Sequence, residues 1–161
     1  MLTDNGHHAA CVDAWLLRAA RDLSGEQRVQ LFEAALGALW SHTRTTLGEV
    51  TLGAIAVRVA YGAAERFPLF TGLTVDPIGG FQGRRLRAHV GAAHDAELTA
   101  GMHFVLVEFL SVLGNLTAEI LTPELHAALM EVSLPESASA RVAPATLSIT
   151  PDGAVAESDR S

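Results

Sequence analysis

Residues Asp95 to Leu121 read DAELTAGMHFVLVEFLSVLGNLTAEIL, and the fold turns on how this stretch is interpreted. No proline interrupts it. Leu98, Met102, Val105, Phe109, Val112, Leu116 and Ile120 recur at alternating spacings of four and three, which is the period of one helical face. Val107, Leu110, Leu113 and Leu121 form a second apolar stripe. Only a thin polar line, Glu108, Ser111, Asn115 and Glu119, is left for water or for a partner. A helix so apolar on most sides belongs at the centre of a bundle or in a subunit interface. The expected fold is therefore all-α, a single-domain bundle of about five or six helices around a central helix at 95–121.

The same helix is the best candidate for a membrane span, because such a span needs about 20 mostly apolar residues. It carries Glu108 and Glu119, and a charge at bilayer depth costs on the order of 2.5 kcal/mol or more. The membrane reading is rejected on that ground. The N-terminal MLTDNGHHAAC has no basic region followed by an apolar run, so no secretion signal is expected. Cys11 is the single cysteine, which rules out an intramolecular disulfide and fits a reducing cytoplasm.

Elsewhere along the chain, residues 1–8 read as a flexible N-terminus, with His7 and His8 in a solvated tail. A short amphipathic helix follows from Ala9, with Cys11, Trp15 and Arg18 near one side and Val12, Leu16 and Ala19 alongside. Ser24 and Gln27 match a capping box, in which each side chain satisfies a backbone donor of the other. Val29, Phe32, Leu36, Leu39 and Trp40 continue from there at helical spacing towards Gly48. Glu49 to Phe67 partly alternates as a strand would, but its alanine content and length favour a helix, ended by Pro68. Residues 69–83 form a Gly/Pro-rich loop with a brief extended piece near Leu73 to Val75. A short basic helix follows at Arg84 to Gly91, and Thr122-Pro123-Glu124 reads as a helix start capped by Thr122. Residues 135–161 read as a disordered, acidic C-terminal tail, which leaves 9–134 as the helical domain.

Composition narrows the function. Hydrophobic residues make up 49% of the chain and charged residues 18%, a surplus of apolar surface that self-association would cover. The net charge is −7 and every basic side chain is arginine. Without lysine there is no phosphate-loop lysine, Schiff-base lysine or lysine general base. The acidic balance makes nucleic acid an unlikely partner, because such binding neutralises phosphates with basic side chains.

Several residues are candidates for chemistry. His103, on the central helix, is read as a hydrogen-bonded core or interface histidine, because no Glu-x-x-His pair accompanies it for a metal. Glu108 and Asn115 are the polar positions on that helix best placed to meet a ligand or partner. Arg84, Arg85 and Arg87 form the one basic cluster, with guanidinium forks suited to an anion or an acidic partner surface. No cofactor and no metal is expected.

Two segments resemble known families. Ser41-His42-Thr43-Arg44 is similar to the phospho-accepting segment of sensor-kinase dimerisation helices, although Thr43 stands where those carry an acidic residue. That resemblance implies phosphotransfer through His42. RVQLFEAALGALW followed by VTLGAIAVRVA, with Thr51, Ile55 and Ala56, resembles the first two helices of TetR-type regulators and implies duplex-DNA binding. The Gly-Val-Ser turn expected next is replaced by Tyr61-Gly62-Ala63-Ala64, so the recognition helix is missing from the pattern. The expected function is accordingly a non-enzymatic, cytoplasmic regulatory or signalling module, a homodimer that binds protein partners and holds a small apolar ligand between helices.

Overall fold

Apolar stripes at helical spacing fold into six α-helices among the described residues of a computed structural model, which cover 2–76, 80–91 and 94–134. The expected tail at 135–161 lies outside them. The helices are α1 (Leu2–Ala19), α2 (Gly25–Leu47), α3 (Glu49–Arg66), α4 (Arg84–His89), α5 (Asp95–Leu116) and α6 (Thr122–Glu131). A single hydrophobic cluster joins them, as the all-α, single-domain reading expects.

The central helix behaves as its period predicts over most of its length. Leu98, Met102, Val105, Leu106, Phe109, Leu110 and Leu113 are fully buried. Each such side chain contributes about 1.5–3 kcal/mol of burial, so α5 dominates the core. It is also long and apolar enough to cross a membrane by composition alone. Half of its most apolar window is buried inside the fold.

Three boundaries differ from the sequence reading. The central helix ends at Leu116, not Leu121. Thr117 closes it with a hydroxyl bond to Leu113 O, and Ala118 and Glu119 then turn left-handed at φ 52° and 63°. Leu116 and Ile120, expected on the buried face, are thereby exposed. At the other end of the chain α1 starts at Leu2, so the stretch expected to be a flexible tail is helical. His8 is buried, held by a 2.9 Å contact from its Nδ1 to His126 Nε2 on α6. Finally, Thr122 does not cap α6; its hydroxyl donates to the Glu119 carboxylate at 2.5 Å.

The capping box at Ser24 and Gln27 forms with both bonds in place. Segment 49–66 is helical, as its alanines favour. The Gly/Pro-rich excursion is more ordered than a loop. Pro68–Gly72 makes a 3₁₀ turn, and β1 (Thr74–Asp76) pairs antiparallel with β2 (Gly80–Gln82), Val75 opposite Phe81. Phe70 and Phe81 pin this excursion to the core, with Phe81 edge-on to Phe109 at 5.2 Å between centroids. Gly80 sits at φ 79° with the Trp40 ring against it, a conformation and a closeness that both favour glycine.

Candidate functional site

An open groove between α3 and α5 has a volume of about 580 Å³ and brings charged and apolar side chains together. The two helices run antiparallel. Just past the end of α3 the Phe67 ring lies 6.0 Å from Phe104, and Leu69 N–H donates to Glu97 near the start of α5 at 2.8 Å. At the far end Ala54 and Leu116 line the same groove. Gly62 faces the Phe104 ring, where an added Cβ would lie in ordinary contact at 3.8 Å. Arg66 stacks over that ring at 4.9 Å, a cation–π contact on an open surface.

The floor is apolar, formed by Ile55 and Val59, and the walls mix apolar and charged groups. Arg58 stands on the α3 side and Glu108 on the α5 side. Counting one helical turn from the Gly62–Phe104 contact brings both to the same height on facing walls. The ion pairs among the described residues are Arg28–Asp95, Arg44–Glu49, Arg87–Glu33 and His103–Asp13. None of the groove charges takes part. Glu108 is therefore half-buried along a partly apolar groove, with no ion pair among the described residues.

The other sequence candidates are dispersed. His103 Nε2 meets Asp13 Oδ1 at 3.0 Å, so it ties α5 to α1. Asn115 is exposed at the end of α5, away from the lining of the groove. The arginine cluster splits. Arg84 is exposed. Arg85 lines a smaller cavity of about 410 Å³ with His89, His94 and Glu97. Arg87 is engaged by Glu33 at 2.5 Å. His42 is exposed on the outer face of α2. The stretch that resembles TetR-type helices folds as two long helices joined at the single residue Gly48, with Thr51 exposed and Ile55 and Ala56 in the core. No group of three or more His, Cys, Asp or Glu side chains among the described residues could hold a metal ion.

Two sites escaped the sequence. Glu33 receives both the Gly83 N–H, at 2.7 Å, and the Arg87 guanidinium, clamping the end of the hairpin to α2. His8 and His126 meet across 118 residues of chain with their rings edge to face at 5.1 Å. Burial, and then the neighbouring His8 and His7, hold His126 below its ordinary pKa, with Glu119 opposing weakly. Burial also pushes the Cys11 thiol up, which makes it a poor nucleophile.

The described residues form an all-α domain with an open groove between α3 and α5. No protein-family model, curated protein or solved structure matches the chain.

Proposed function

We propose that this protein is a cytoplasmic regulatory interaction module, non-enzymatic, that self-associates through the α3–α5 face. One observation carries the reading. Of the six large apolar side chains exposed among the described residues, five lie on these two helices or just beyond them: Val50, Val57, Tyr61, Leu116 and Ile120. Tyr61 and Leu116 line the groove itself, and exposed apolar side chains gathered at such a surface mark an association site, whereas single scattered ones carry no message. The charges around the groove add specificity to that surface, because complementary charge selects register and partner more than it adds affinity.

Sedimentation equilibrium tests this. A dimer that dissociates on dilution is expected, because two helices of this length present a face towards the low end of stable interfaces, which average about 800 Å² per partner. A chain that stays monomeric at about 100 µM, well above the affinity of most weak specific pairs, would remove the reading.

A small apolar ligand is the second occupant the groove supports, because its volume lies within the ~300–1,000 Å³ range of small-molecule sites. Ligand and second copy would compete for one surface. Addition of an anilinonaphthalene probe should then shift the dimer towards monomer as fluorescence rises; fluorescence rising with the dimer intact would place the probe elsewhere.

A further inference from the structure

We propose that the missing counter-charge of Glu108 is Arg58 of a second copy, brought to it by a two-fold axis running along the groove, parallel to α3 and α5. This rests on the self-association reading above and specifies its geometry. Arg58 and Glu108 occupy the same height on opposite walls. Rotation about an axis parallel to the helices preserves height while exchanging sides. It therefore lays α3 of one copy against α5 of the other, and Arg58 meets Glu108 of the second copy twice, with no choice of register to be made. The four charges then alternate in sign around the axis. Each helix is antiparallel to both neighbours, which is the arrangement of an up-and-down four-helix bundle.

The competing isologous arrangement turns the axis across the groove at that height. It opposes Arg58 to Arg58 and Glu108 to Glu108, and like charges brought together in an interface are strongly disfavoured. The apolar groups agree with the first arrangement. Phe104 meets the Gly62 region of the second copy, where there is no side chain to obstruct it, and Leu116 meets the Val50–Ala54 end. Glu65 and Arg66 lie a further turn or two from the charge ring, at the end of the groove.

Charge reversal distinguishes contacts within a chain from contacts between chains. Arg58→Glu makes both positions of the pair acidic, and Glu108→Arg makes both basic. Each variant alone should associate at least tenfold more weakly than the parent, by sedimentation equilibrium. An equimolar mixture should recover a dimer containing one copy of each, because both contacts then join opposite charges. Only an intermolecular contact produces that recovery. The Arg58→Glu/Glu108→Arg double variant should also dimerise. Leu116→Glu, at a position 55% exposed, should give a folded monomer irrespective of these charges.

Far-UV circular dichroism confirms that each chain is folded. Should a reversal unfold it, Arg58→Gln and Glu108→Gln replace the pair, and their effects on association must then be non-additive in the double variant. A parent dimer whose single variants associate undiminished, or whose mixture stays monomeric, overturns the pairing while leaving self-association standing. A monomeric parent overturns both.

Discussion

Glu33 shows what one carboxylate can hold in place. It satisfies the Gly83 N–H and the Arg87 guanidinium together, and both are only partly open to water. Removing it by Glu33→Ala should cost about 1–2 kcal/mol, the range of charged hydrogen bonds reduced for screening. A lower urea midpoint with an unchanged slope would register that loss, and Glu33→Gln should lose less. Glycines provide a matched pair of opposite sign. A Cβ at Gly101 would overlap the Phe70 ring in the core, so Gly101→Ala should cost about 1–3 kcal/mol by overpacking. Gly37 lies within α2, exposed and with nothing within 4 Å of a would-be Cβ. Gly37→Ala should stabilise by about 0.5–1 kcal/mol, because alanine loses less backbone freedom in a helix. Thermal melts of the two variants should move in opposite directions. At this scale the sequence was partly legible. The polar line on the central helix includes Glu108, which lines the groove, and Ser111, which is buried. The role of Glu33 was not visible, because its partners are 50 and 54 residues away and their meeting depends on the hairpin.

Among the elements, α1 depends most on distant contacts. The Trp15 indole donates to Val132 O at 2.9 Å, Arg18 donates to Met130 O, and His8 meets His126. All three fix α1 to α6 or the residues after it, long-range contacts that the weak local signals of this stretch do not announce. Titration should expose this junction. His126 has its folded pKa depressed, so the native state binds its proton less readily than the unfolded chain. Its contribution is intact above the unfolded value near 6.5 and is lost as pH falls from there through the folded pKa. Urea midpoints should therefore drop on acidification below about pH 6.5, and His126→Asn should flatten that dependence. An unchanged slope in the variant would assign the acid sensitivity to other groups. Elements with strong local signals, the capping box of α2 and the apolar period of α5, were legible. The end of α5 was not, because the apolar period runs on through Ile120 while Ala118 and Glu119 turn the backbone away. Two non-glycine residues in the left-handed region are a feature that composition does not announce.

For the whole molecule, the surplus of apolar residues was visible in the composition, but its location was not. Burial accounts for most of the surplus, and of the large apolar side chains that stay exposed among the described residues all but Leu17 lie on α3 or at and just beyond the end of α5. Leu116 is the clearest instance: the period places it on the core face, and the early end of the helix leaves it beside the groove. If that face is where two copies meet, folding and association are linked, and the melting temperature must depend on protein concentration. Each tenfold increase is worth RT ln 10 per dimer, about 0.7 kcal/mol per chain, which corresponds to roughly 2 °C for a domain of this size. Melts across two decades of concentration should therefore rise by about 4 °C in the parent. Leu116→Glu removes an apolar contact and places a charge at the rim without touching the buried core, so its melts should be independent of concentration and coincide with those of the dilute parent. A variant that melts lower than the dilute parent would instead show that Leu116 supports the fold of the single chain, and the association surface would have to lie on another face.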